Sequence, residues 1–256
     1  MIKIKSKEEI KIMQHSGHIL AETLWEVLKH VKPGVSEIEL DALAEKLIRE
    51  KGGEPGFQKV TGYRHATCIS VNDIVVHGIP TNYVLKEGDI IGIDCGVFYK
   101  GFHTDMAQTI RVGNAASKAQ NDEIDRFLEA GKKALEAGIA QATLGNHVGD
   151  ISRAMQTVIE AQNGYSVVRS LVGHGVGRDL HEDPEIPGYL MGRIEKSPLL
   201  REGMVIAIEI IYNQGSPEIV FANRDGWTLK TADSSLAGLF ERSLAITKDG
   251  PLIITQ

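Results

Sequence analysis

Two cysteines, Cys68 and Cys95, are too few to staple an extracellular framework, and a chain of 256 residues has no need of one. At that length a single core buries roughly 70 to 75% of the unfolded surface. The opening residues Met1-Ile2-Lys3-Ile4-Lys5-Ser6-Lys7-Glu8-Glu9 contain no apolar run suited to a signal peptide. Nor does any segment approach the ~18 consecutive apolar residues of a membrane span, so a soluble, cytoplasmic protein without a membrane partner is expected. A net charge of −6 disfavours a broad nucleic-acid surface, and no direct nucleic-acid partner is expected. Proline-, glycine- or serine-rich linkers and low-complexity tracts are also missing, which points to one domain over residues 1–256.

What is present reads as helix pairs alternating with strands. Ser6 and Glu9 form a capping box, after which Ile10, Met13, Gly17, Leu20, Leu24, Val27 and Leu28 recur at helical spacing. Pro33-Gly34 ends that helix; Ser36 with Glu39 opens a second, whose stripe of Leu40, Leu43, Leu47 and Ile48 runs to Gly52-Gly53. Residues 66–72 alternate as a strand, and Ile74-Val75-Val76 leads into His77-Gly78-Ile79-Pro80, a break suited to presenting a side chain into a cleft. Ser117 with Gln120 caps a third helix to about Ala137, and Asn146 opens a fourth to about Ala161. Two helices followed by strands thus occur in residues 1–112 and again in 113–256. That order predicts an α+β fold of two pseudo-symmetric halves, with a curved antiparallel sheet backed by helices. His15, His18 and His30 fall in the first helix without a partner at metal-ligand spacing and read as solvated or core histidines.

Between these elements, Ile90 to Arg111 carries two carboxylates where strand sequence calls for Val or Ile. If Lys100-Gly101 is a two-residue hairpin loop, facing positions sum to 201, so Asp94 lies opposite Ala107 and Asp105 is its diagonal neighbour on the same face. Diagonal positions are roughly 7 Å apart, within reach of two cations held about 3.5 to 4 Å from each other. A Lys or Arg partner is the ordinary answer for a lone Asp in a strand. The second half of the chain offers a different one. Glu209 interrupts the apolar run Met204 to Ile211, and Glu241 sits between Leu239-Phe240 and Leu244-Ala245-Ile246-Thr247, with only Arg242 as a nearby cation. The run Gly173-His174-Gly175-Val176-Gly177-Arg178-Asp179-Leu180-His181 has no following helix pattern to hold a phosphate, so its glycines are read as letting backbone approach closely and His174 project. Four buried-type carboxylates and one histidine suit two divalent ions such as Mn, Fe, Co or Zn, and such a site suits hydrolysis. His77 and His181, on glycine-containing loops, would then stabilise a developing oxyanion or position an amide.

Taken in order, His77-Gly78-Ile79-Pro80, Asp94 and Asp105 eleven apart, the Gly173–Arg178 run with His181, Glu209 and Glu241 resemble the type I methionine aminopeptidases, of the pita-bread fold, over essentially the whole chain. The resemblance implies that Asp94, Asp105, His174, Glu209 and Glu241 hold two metal ions, that Glu209 also shuttles the proton, and that His77 and His181 are catalytic. It implies a methionine pocket of Tyr63, His65, Cys68, Leu180 and Trp227, with His77 and His181 also touching substrate. The substrate would be the initiator methionine of nascent polypeptides with a small second residue, acted on by a monomer in transient contact with the ribosome. This chain departs from the family pattern at Ile210, where Pro is usual, at Leu239 and Arg242 around Glu241, at His65, where an aromatic residue is common, and at Leu180, where Phe is frequent. Two rivals are weighed and set below this reading: a peptidase specific for proline-containing peptides, which would normally carry a further N-terminal domain where this chain starts almost directly with its first helix, and a silent binding module, which would be expected to have lost ligands, whereas all five are present.

Overall fold

The computed structural model describes residues 1–256. Helices α1 (Lys7–Lys29) and α2 (Glu37–Glu50) lead into strands β1 (Glu54–Pro55), β2 (Thr67–Val71), β3 (Ile74–Val76), β4 (Ile90–Tyr99) and β5 (Phe102–Arg111). Helices α3 (Lys118–Gln141) and α4 (Val148–Gln156) follow, then β6 (Ser166–Val167), β7 (Val172–Gly175), β8 (Glu182–Pro187) and β9 (Val205–Asn213). The chain ends with β10 (Ile219–Phe221), β11 (Leu229–Thr231), β12 (Ala237–Thr247) and β13 (Gly250–Ile253). No helix is long and apolar enough to cross a membrane.

Both expected capping boxes form. Glu9 N–H donates to Ser6 Oγ at 3.2 Å while Ser6 N–H donates to Glu9 Oε2 at 2.9 Å, and Ser36 with Glu39 repeats the arrangement on α2. The apolar stripes of these two helices then meet one face of β4: Leu20, Leu24, Leu40 and Ile48 pack with Ile91, Ile93, Cys95 and Val97. A second core joins α3 and α4 to β9 and β12 through Phe127, Ala134, Ile151 and Met155 against Ile206, Ile208, Ile210, Tyr212, Phe240 and Leu244. Each large side chain buried in this way contributes about 1.5 to 3 kcal/mol relative to exposure.

The helix-backed strands belong to one ten-stranded sheet in the order β1-β4-β5-β12-β9-β7-β8, with β2 beside β4, β6 beside β9 and β13 beside β12. Its central seam is β5 against β12, where Ala107 faces Glu241 and Met106 faces Arg242. The α1/α2-backed hairpin and the α3/α4-backed strand pair therefore meet edge to edge. A smaller sheet, β10-β11-β3, brings the end of β3 and the residues before β11 together. At the β4–β5 turn Lys100 and Gly101 both have positive φ (47° and 87°), as a two-residue hairpin turn requires, and this fixes the register with Asp94 opposite Ala107 and Gly96 opposite Asp105.

Two helix boundaries differ from the sequence expectation. The third helix continues to Gln141, beyond Ala137. The fourth is capped by His147 rather than Asn146, whose side-chain amide instead donates to the Gln141 carbonyl at 3.0 Å. Its last turns, Thr157–Gln162, widen into a π-helix before Asn163. Asn is a good cap in isolation, but here its amide ties down the end of the preceding helix.

Candidate active site

Period-two alternation sends every second residue of the sheet away from the helices, and on that open face the acids line up. Asp94, Ala107, Glu241 and Glu209 are successive partners across β4, β5, β12 and β9. Asp105 is two residues before Ala107 on β5, and His174 on β7 pairs with Ala207, two residues before Glu209. Five strands thus deliver five side chains to one surface. Ligand atoms of Asp105, His174 and Glu241 lie within 4.8 Å of one another, with His174 Nε2 at 3.9 Å from Asp105 Oδ2. Asp94 and Glu209 flank this trio in the same row.

The glycines around His174 do what the sequence suggested. A Cβ on Gly173 would lie 2.7 Å from the Ala207 carbonyl oxygen, and one on Gly175 would lie 2.2 Å from that of Asp183, so β7 could not sit between its neighbours otherwise. His174 Nδ1 is 2.9 Å from the Gly175 carbonyl. A carbonyl only accepts, so Nδ1 carries the hydrogen and Nε2, facing Asp105, keeps its lone pair.

The electrostatics of the acids are unfavourable without a cation. Burial raises Asp94 to about 7 and, with the Asp94 charge beside it, Glu209 to about 8. Burial and the neighbouring carboxylates push Asp105 and Glu241 well above the usual range. Asp94 Oδ1 and Glu241 Oε1 are buried without a hydrogen-bond partner. The one nearby guanidinium, Arg242, points to the other face of β12, donating to the Ala107 carbonyl at 3.1 Å and Gln108 Oε1 at 3.0 Å and lying 5.4 Å from the Trp25 ring. Orphaned carboxylate oxygens together with a free imidazole lone pair fit divalent metal and leave a Lys or Arg partner no place.

The acids floor a cavity of about 200 Å³ whose other wall is apolar. Tyr63, Cys68, His77, Leu180, His181 and Trp227 all line it, joined by Phe57, Val60, Val76, Leu171, Val172, Ile211 and Leu239. Trp227 packs edge-on to Tyr63 at 5.2 Å, and the Tyr63 hydroxyl donates to the Thr67 carbonyl at 2.7 Å. His77 adopts φ of 56°, the left-handed region that a non-glycine residue occupies at a cost, at the rim of the cavity. The His181 ring stands edge-on to His174, centroids 4.4 Å apart. Burial lowers the pKa of both His77 and His181, with His181 adding to the effect on His77, so both rings are neutral near pH 7 and each carries one N–H.

His65 does not join them. It is absent from the cavity wall, because its Nδ1 is held 2.9 Å from Asp41 Oδ2 and its ring lies behind Tyr63, centroids 6.0 Å apart. Asp41 also accepts the backbone N–H groups of Ala66 and Thr67, so this carboxylate pins the segment that precedes β2. Among the family departures, Ile210 and Arg242 face the helices, and Leu239 faces the cavity. Ile211 and Leu239 could have been found from sequence, each standing two residues from a site carboxylate and hence on its face. Phe57, in an isolated helical turn, gave no such signal.

A buried carboxylate row completed by one histidine and set beside an apolar pocket defines a metal-dependent hydrolase site. Residues 11–244 match the model of metallopeptidase family M24. Methionine aminopeptidase 1 of Bacillus subtilis is 44% identical over 256 residues, all of both chains. The solved methionine aminopeptidase of Thermotoga maritima superposes with a TM-score of 0.93 at 37% identity, again over all of both chains. A prolidase from Pyrococcus furiosus shares the fold more distantly, at a TM-score of 0.74 and 25% identity, and this chain covers 65% of its length. The chain belongs to metallopeptidase family M24, and within it to the methionine aminopeptidases with their pita-bread fold.

Proposed function

We propose that this protein removes the N-terminal methionine from polypeptides whose second residue is small, using two divalent ions held by Asp94, Asp105, His174, Glu209 and Glu241. The observation that carries the reading is the juxtaposition of that carboxylate row, with its orphaned Asp94 and Glu241 oxygens, and the apolar cavity at Tyr63, Cys68, Leu180 and Trp227. Support for two ions comes from the row itself: Asp105 and Glu241 stand on its two middle strands, with Asp94 on the strand to one side and Glu209 and His174 on the strands to the other. When bound, such ions polarise the scissile carbonyl and lower the pKa of the attacking water.

The rest falls to the chain. The apolar wall takes the methionine thioether, a soft and polarisable group suited to Tyr63 and Trp227. Glu209, held as a carboxylate by the bound cations beside it, accepts the proton of the attacking water and returns it to the leaving amide nitrogen. The neutral rings of His77 and His181 donate their N–H groups to the substrate amide and to the oxyanion that develops on its carbonyl. Substrates of this kind are nascent chains, met in the cytoplasm as they leave the ribosome.

The purified protein with added Mn, Fe, Co or Zn should release methionine from Met-Ala and Met-Gly peptides and spare Met-Leu and X-Pro peptides. Release from none of the Met peptides with any of the four metals would overturn the reading, and preferential cleavage of X-Pro peptides would replace it with a prolidase activity.

A further inference from the structure

The loop between β7 and β8 carries Leu180 and His181 into the cavity, and it is anchored by charges at the far end of the chain. Lys5 Nζ donates to Glu182 Oε2 at 2.7 Å, and both side chains are almost wholly buried, at 4% and 1% exposure. The other oxygen of Glu182 accepts the backbone N–H of Arg178 at 2.9 Å, that of Asp179 at 3.3 Å and the Lys3 ammonium at 3.3 Å. Lys3 also pairs with Asp179 at 2.6 Å. The Lys5 backbone is fixed in turn, its N–H donating to the Gly203 carbonyl at 2.8 Å. One carboxylate therefore gathers the backbone of the two residues that precede Leu180-His181 and ties them to the N-terminal segment.

Gly177 belongs to the same device. A Cβ at this position would lie 2.5 Å from Lys5 Cε and 2.8 Å from Glu182 Oε1, so the third glycine of the Gly-His-Gly-Val-Gly run clears the space in which the pair forms. Stability alone does not account for a buried ion pair, because well-packed apolar residues commonly serve as well. Apolar residues could not accept two backbone N–H groups, however, and it is these that set the course of the chain into His181. Because side chains alternate, burying Glu182 on one side turns His181 to the other, edge-on to His174 at 4.4 Å.

We propose that the Lys5–Glu182 pair positions His181 for the reaction, making Lys5 and Glu182, with Gly177 that admits them, positioning residues of the active site. This rests on the aminopeptidase reading for its kinetic consequence but not for its structural one.

The test is a double-mutant cycle between Lys5→Met and His181→Ala, assayed on a Met-Ala peptide with saturating metal. Lys5→Met should lower kcat roughly 10- to 100-fold with KM within about twofold, the size expected when a catalytic group is misplaced by about an ångström. In the His181→Ala background the same change should alter kcat by less than about twofold. An equal fall in both backgrounds, or a folded Lys5→Met protein of normal kcat, would overturn the proposal. Should Lys5→Met not fold, Gly177→Ala, which crowds the pair without removing a charge, carries the same expectations. The imidazole resonances of His181 give an arm that needs no turnover: one sharp set is expected in the parent protein and broadened or doubled signals in either variant. Unchanged resonances would contradict the proposal even if no peptide is cleaved, whereas a parent protein inactive on every Met peptide overturns the aminopeptidase reading alone.

Discussion

The two faces of β9 and β12 are made from the same strands and follow different chemistry. Toward the helices, Ile206, Ile208, Ile210, Tyr212, Phe240 and Leu244 pack a dry core. Toward the cavity, one residue away in each case, stand Glu209 and Glu241, whose charge is opposed by burial and neighbouring carboxylates and offset only in part, at Glu241, by Arg242 on the other face. Folding energy and function are thus kept apart: the helix face holds the sheet together, and that security lets the open face carry buried carboxylates that oppose folding, relieved by metal on the proposed reading.

The largest expected effect is at Glu209, the proposed proton carrier. Glu209→Gln should lower kcat by roughly 10² to 10⁴ while KM for a Met-Ala peptide changes little, the range for a lost general base. Steady-state kinetics at saturating metal decide it, and near-normal turnover would take Glu209 out of proton transfer. Next in size is the neighbouring pair Phe240 and Glu241, one on each face. Phe240→Ala should cost about 3 to 5 kcal/mol in urea unfolding whether or not metal is present, because it opens a cavity in the helix-side core. Glu241→Gln should have the smaller effect, leaving the metal-free protein as stable or slightly more so while removing most of the stabilisation that metal brings. A loss from Glu241→Gln in metal-free protein as large as that from Phe240→Ala would erase the distinction between the faces.

Much of this was legible in the sequence because the site interrupts a strong pattern. Asp94, Asp105, Glu209 and Glu241 each break apolar strand sequence, and the Lys100-Gly101 turn by itself specifies the register of the hairpin. The capping boxes at Ser6 and Ser36 were equally plain. What escaped was set by tertiary contacts without a local signature. The strand Glu182–Pro187 lacks β-branched alternation and contains two prolines, a pattern that reads as loop, and it is held by pairing with β7 and by the Lys5–Glu182 contact. The resemblance puts His65 in the pocket, yet the reason it stands back, the Asp41 carboxylate, lies 24 residues earlier in α2. The π-helical end of α4 follows a sequence that reads as ordinary helix.

On the proposed reading, the open-face acids hold metal and destabilise the fold when it is absent. Raised carboxyl pKa values mean the folded protein holds protons that the unfolded chain releases near pH 4. These groups therefore add stability below about pH 4, and it is lost as pH rises through the folded values, about 7 for Asp94 and about 8 for Glu209. The most direct measurement is the melting temperature of chelator-treated protein from pH 6.5 to pH 8, above the range in which the burial-depressed histidines His77, His103, His174 and His181 add stability as pH rises, with and without an added divalent ion. The expected result is a midpoint that falls with rising pH in the metal-free protein and is restored by metal, with the largest metal-induced increase at pH 8. A metal-free midpoint that rises or stays level over that range, together with no response to any divalent ion, would contradict the account.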